Sequence, residues 1–164
     1  YAGRSSEWID SDLPRVNITW YEARDYCRQR GGRLATEAEW EYAARGPNSY
    51  LFPWGDSFVE DRMAYRDNSV AQTKPVNSYP LGASWVGAAD MAGGVWEWIS
   101  TIYMPYPYSD DDGRENLNTI ADRGMRGGDW SSRSHFNRST NRNWYAQDGE
   151  FNNVGLRCVR AYEG

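Results

Sequence analysis

Histidine, cysteine and lysine are all scarce in this chain of 164 residues, and each scarcity removes a class of function. His135 is the sole histidine. One imidazole cannot build a two-histidine iron triad or a histidine-rich zinc centre. It reads first as a side chain lining a polar pocket, ahead of a general base or a single metal ligand. Cys27 and Cys158 both fall outside the stretch from Arg126 to Arg157. That stretch therefore holds no thiol for sulfur redox chemistry. Lys74 is the one lysine, so nearly all positive charge is arginine. Arginine suits planar pairing with buried carboxylates, and most arginines are expected to be internal struts. The net charge is −5. Phosphate binding needs a basic footprint, so no nucleic-acid partner is expected. No apolar run reaches membrane-spanning length, so no membrane insertion is expected either.

What the chain does hold is aromatic and polar. Nine tryptophans supply core area that regular layers would otherwise supply. Thr19-Trp20-Tyr21-Glu22 and Thr36-Glu37-Ala38-Glu39 are capping boxes. They predict helices to about Arg30, stopped by Gly31-Gly32, and to about Arg45, stopped by Gly46-Pro47. From Pro47 to Gly94, Gly, Pro, Asn and Asp recur every few residues and predict loops. Strands are expected from Val95 to Thr101, Met125 to Trp130 and Leu156 to Tyr162. Residues 1–18 read as extended and irregular. Tyr103 to Tyr108 interleaves aromatics with prolines, ahead of the acidic run Asp110-Asp111-Asp112, which reads as solvated charge. No internal repeat or low-complexity linker divides the chain, so residues 1–164 are expected to form a single domain.

Five motifs keep a shared order. They are Leu34 to Gly46 (LATEAEWEYAARG), Phe52-Pro53-Trp54-Gly55, Asp90 to Trp98 (DMAGGVWEW), Arg126-Gly127-Gly128-Asp129-Trp130, and Gly155-Leu156-Arg157-Cys158. Together they resemble the formylglycine-generating-enzyme (sulfatase-modifying factor) domain family, from about Pro14 to Arg160. The resemblance implies an α+β, loop-rich variant of the C-type lectin fold, with two helices and short antiparallel strands. Family members include the formylglycine oxidase, iron-dependent sulfoxide synthases with an extra domain, and non-enzymatic binding proteins. Some of the last are variable proteins of diversity-generating retroelements. Members usually carry a further N-terminal segment, and this chain opens at Tyr1 without a methionine, so a longer polypeptide is expected.

The resemblance also says what has been replaced. The oxidase holds copper with two cysteines shortly after Arg-Gly-Gly, where this chain reads Ser131-Ser132-Arg133-Ser134-His135-Phe136-Asn137. Hydroxyls and an amide are poor ligands for soft Cu(I). The family partners of the positions matching Cys27 and Cys158 are absent. Two buried free thiols are the favoured reading, with a direct Cys27–Cys158 bridge as the alternative. Family calcium sites fall at Ala64-Tyr65 and Gly93-Gly94-Val95-Trp96-Glu97. Tyr65 and Gly94 stand where asparagines are usual, which leaves Glu97 as ligand of a weakened calcium site. No other cofactor is expected. Ser131, Ser132 or Ser134 with His135 and Asp129 contains the residue types of a hydrolytic triad. Closeness in sequence is weak support for one.

The leading expectation is a non-catalytic recognition domain whose face is the 131–153 segment. Rings would give rigid contact area, and Asn and Ser adaptable hydrogen bonds. The expected ligand-binding residues are Trp130, Ser132, Ser134, His135, Phe136, Asn137, Asn141, Asn143, Trp144, Tyr145 and Asp148. The partner would be a protein or a small molecule. Arg126, Arg138, Arg142 and Arg157 read as scaffold. The alternatives are a metal-dependent oxidoreductase of the formylglycine-generating or sulfoxide-synthase kind, and a structural module of a larger protein. The missing thiols point away from catalysis.

Overall fold

In a computed structural model, the structure describes residues 12–161. Both capping boxes form. Helix α1 (Trp20–Gln29) starts at Thr19, whose side chain accepts from the Glu22 amide while Glu22 reaches back to the Thr19 amide. Helix α2 (Glu37–Arg45) starts at Thr36 with Glu39 in the same reciprocal pair. Each box satisfies two backbone donors that a helix start leaves open.

Between the helices lies β1 (Arg33–Leu34). The remaining strands are β2 (Trp96–Ile102), β3 (Arg123–Arg126), β4 (Arg142–Tyr145), β5 (Val154–Leu156) and β6 (Cys158–Val159). Strands β4-β3-β2-β5 form one sheet, and β1 pairs with β6 in a second. The helices and loop-rich plan are as expected. Three details differ. The strand expected to reach Trp130 ends at Arg126, because Gly127 and Gly128 take φ of +100° and +77°. The strand expected from Leu156 splits at Arg157 into β5 and β6, and its end at Tyr162 lies outside the described residues. Finally, β5 runs parallel to β2, where antiparallel strands alone were expected.

The large sheet separates two cores. Trp96 and Trp98 of β2 pack with Met125 of β3 against Trp20, Ala23 and Cys27 of α1. The alternate residue Ile99 packs on the other side with Trp40 and Ala44 of α2. The period of two in β2 puts successive residues on opposite faces, and both faces are covered. A register shift between Trp98 and Ile102 interrupts β2. Within that interval, the Thr101 hydroxyl accepts from the Glu37 amide at 2.7 Å, tying the sheet to the start of α2.

Cys27 and Cys158 form a disulfide, with Cα atoms 5.3 Å apart. This corrects the free-thiol reading. The turn at Gly31-Gly32 folds β1 back from α1, and β1 pairs Leu34 with Cys158. That pairing brings the second cysteine beneath the helix face that carries the first. No spacing along the chain reports such a register.

Candidate functional site

The chain leaves the sheet after Arg126, and the 131–153 segment makes a 3-10 turn at Ser134–Asn137 and returns as β4 on the sheet's outer edge. Asn137 holds the turn to the framework. Its Oδ1 accepts from the Asp129 amide at 3.1 Å, and its Nδ2 donates to the Asp129 carbonyl at 3.3 Å. The side chain is fully buried, at 0% exposure. A Cβ on Gly128 would lie 2.0 Å from Asn137 Oδ1, so glycine is required there by contact as well as by φ. Asn137 was expected to read a ligand. It is a strut, because the glycine pair leaves a backbone donor that only its amide reaches.

Behind β4 stands a buried charge network. Arg142 Nε and Nη2 donate to Glu37 at 2.5 and 2.8 Å, and Nη2 also meets the Met104 carbonyl at 2.9 Å. Arg126, fully buried on β3, bonds Glu41, the Ser139 carbonyl and the Thr140 carbonyl. These forks fix the strand that presents the outer residues. Arg126, Arg142 and Arg157 are scaffold as expected. Arg138 is exposed and joins none of the described ion pairs.

Exposed rings flank β4 and the turn. Trp144 stacks on Tyr103, with centroids 4.3 Å apart and planes 19° from parallel. Tyr145, on the opposite face of β4, packs against Phe151 at 4.1 Å. His135 lies against Phe136 at 4.2 Å on the 3-10 turn. Phe136, Trp144 and Tyr145 remain 51%, 44% and 45% exposed. The turn and the strand approach is tied by Asn141, whose Nδ2 donates to the His135 carbonyl at 2.8 Å. Asn143 uses its Oδ1 on the outward amide of Trp144 at 2.9 Å. Asp148 is exposed, while Ser132 and Ser134 are half-buried. Trp130 is half-buried, and its indole nitrogen is enclosed without a partner among the described residues. Beside β4 a hollow of about 310 Å³ is lined by Asp122, Asn143, Trp144, Tyr145 and Ala146.

Sequence reasoning missed Tyr103 and Asp122. The aromatic-proline run containing Tyr103 was visible, but its place under Trp144 depends on strand pairing. Among the described residues no hydrogen bond joins His135 to Ser131, Ser132 or Ser134. The Asp129 carboxylate is occupied by the Ser131 amide and hydroxyl, both at 3.0 Å, and by Asn153.

Glu97 is likewise not a free cation ligand. Arg157 Nη2 donates to its Oε1 at 2.8 Å and Nε to its Oε2 at 3.0 Å, while Trp40 Nε1 donates at 2.8 Å. The carboxylate holds the Arg157 guanidinium above its ordinary pKa. Both Glu97 oxygens are thus engaged by side chains of the protein itself. Among the described residues no group of three or more His, Cys, Asp or Glu converges to hold a metal.

Known proteins resemble this chain over most of its length. The chain is 32% identical over 164 residues to the inactive C-alpha-formylglycine-generating enzyme 2 of Bos taurus, covering 90% of this chain and 50% of that protein. It is 36% identical over 152 residues to the hercynine oxygenase of Mycolicibacterium thermoresistibile, covering 84% of this chain and 34% of that one. It therefore spans half or less of the length of these two relatives. Among solved structures, Treponema denticola variable protein 1 superposes with a TM-score of 0.78 at 20% identity, over 93% of this chain and 73% of that chain. That likeness shares the fold expected of a lectin-like scaffold. The Sulfatase-modifying factor enzyme 1-like domain model matches residues 2–162, and the chain belongs to that family.

Proposed function

We propose that this protein is a non-catalytic recognition domain and that the outer edge formed by the 3-10 turn and β4 is its ligand face. The observation that carries the reading is the exposure of Phe136, Trp144 and Tyr145 on backbone anchored by Asn137 and Arg142. Rigid aromatic anchors on a fixed strand lose little conformational entropy when they bind. The segment where the oxidases hold thiols, Ser131 to Asn137 here, carries no cysteine, and its serine hydroxyls and its amide are poor ligands for soft Cu(I). The likeness to a variable protein and to an enzyme named inactive supports the same reading. In its narrower form, a retroelement diversifies the face.

A Trp144→Ala/Tyr145→Ala double variant tests it on an array of defined proteins and glycans. The wild type should be retained on at least one member and the double variant on none, with unchanged thermal unfolding. In parallel, the purified protein should leave the cysteine of a sulfatase-motif peptide unoxidised in the presence of Cu(I) and oxygen. Stoichiometric copper or iron with oxygen consumption would instead establish an oxidoreductase, the reading favoured by the likeness to a hercynine oxygenase.

A further inference from the structure

Among the described residues, four arginines sit against an aromatic ring while paired to a carboxylate. Arg24 lies over Trp20 and Tyr21 and pairs with Asp25. Arg114 lies over Tyr108 and pairs with Asp112. Arg126 lies over Trp40 and pairs with Glu37 and Glu41. Arg142 lies 4.5 and 4.3 Å from the rings of Tyr103 and Tyr106 and pairs with Glu37. A ring face and a carboxylate each attract a cation, and together they select a flat, weakly hydrated one.

The hollow beside β4 has the same composition without the arginine. Register places Arg123 opposite Tyr145, so Asp122 falls level with Ala146 at the end of the strand. Trp144 and Tyr145 line the same hollow. Asp122 is exposed, and its carboxylate has no hydrogen-bond or ion-pair partner among the described residues. The Trp144 indole N–H and the Tyr145 hydroxyl likewise have none. The nearby arginines are committed elsewhere. Arg123 turns into the core, where it donates to the Ser100, Asn116 and Thr119 carbonyls and lies 4.2 Å from the Trp20 ring. Arg142 is held by Glu37.

The surroundings suit a macromolecule. Gln147 Nε2 donates to the Thr119 carbonyl at 3.2 Å, which brings the loop before Asp122 beside the end of β4. That loop leaves Leu117 and Ile120 exposed. A charge-accepting hollow beside apolar and aromatic side chains is the arrangement of an interface hot spot.

We propose that this hollow receives one basic side chain, arginine or lysine, presented by a protein ligand. The proposal rests on the recognition reading above and names the chemistry at its centre. It is tested by following the Trp144 indole N–H resonance of the 15N-labelled protein during titration. The probes are Nα-acetylarginine amide, Nα-acetyllysine amide, the neutral isostere Nα-acetylcitrulline amide, and N-acetylglucosamine.

At least one basic amide should shift and saturate the resonance, with citrulline binding weaker by roughly tenfold. Which basic amide binds tighter identifies the preferred group. Asp122→Asn changes an exposed side chain and should preserve the overall spectrum while removing the advantage of charge. Raising salt to about 0.5 M should weaken the basic probes and leave citrulline unchanged. Equal responses to citrulline and to the tighter-binding basic amide, an undiminished basic response in Asp122→Asn, or a response confined to the sugar would overturn the proposal. Failure of both basic probes would do the same. If the array binding of the wild type still depends on Trp144 and Tyr145, the recognition face survives that failure. If the double variant retains every array partner, the face itself is wrong.

Discussion

Asn137 shows how much a single amide can decide. It lies in the segment that carries the exposed rings, yet its two hydrogen bonds to Asp129 are buried and hold the 3-10 turn to the end of β3. Removing it strands the Asp129 amide without a partner, which costs about 1–3 kcal/mol. Asn137→Ala should therefore lower unfolding free energy by about that amount in urea denaturation. Asn141→Ala, whose amide meets the His135 carbonyl in a more exposed place, should cost less. The two residues share a composition class, and the chain alone ranks them equally. Glu97 gives the complementary lesson. Its family position suggests calcium, but the fork of Arg157 occupies both of its oxygens. Identity was legible at both positions, and role was not, because role depends on which partner arrives from elsewhere in the chain.

At the scale of elements, the two helices were the most legible parts. A capping box is a contact across three residues, so the sequence contains all of its physics. Glu39 closes its box and pairs with Arg33 at 2.5 Å, and that arginine holds its carboxyl below the ordinary range. The sign follows from the direction of the shift. A carboxylate with a depressed folded pKa adds stability above its unfolded pKa and loses it as pH falls through the folded value. Glu39→Gln should thus lower Tm by a few degrees at pH 7, roughly 1–3 °C for an exposed pair and cap. The gap to wild type should close as pH falls below about 4, read by calorimetry. Strands were less legible. β4 was absent from the expected elements because its neighbours Met125 and Gly124 lie far away in sequence. The disulfide belongs to this scale as well. It joins α1 to β6 across a separation of 131 residues. Its reduction frees a long loop in the unfolded state and should cost about 3–5 kcal/mol. Urea unfolding with and without a phosphine reductant measures it.

For the molecule as a whole, the sheet works as a partition. Trp20 and its neighbours fill one side, Trp40 and its neighbours the other, and the outer strand β4 carries the proposed contact residues. Substitution at the rim leaves both cores intact, so the rim can vary while the fold persists. If a retroelement diversifies this protein, sibling sequences should differ at exposed positions such as 135, 136, 144, 145 and 148. They should keep Asn137, Arg126, Arg142 and Glu37. Aligning the genomic siblings checks this, and variation spread evenly through Asn137 and the buried arginines would count against diversified recognition.

The amino-acid sequence alone determined the helix starts, the turn glycines, the loop-rich class and the absence of thiols from the segment after Arg-Gly-Gly. Each of these is a matter of composition or of contacts within a few residues. Tertiary structure alone decided that Cys27 meets Cys158, that Glu97 belongs to Arg157, that Asn137 turns inward, and that Asp122 comes to lie beside Trp144. Those outcomes rest on strand register and on pairings across tens of residues, where burial and charge neutralisation select among partners that the linear order leaves equivalent.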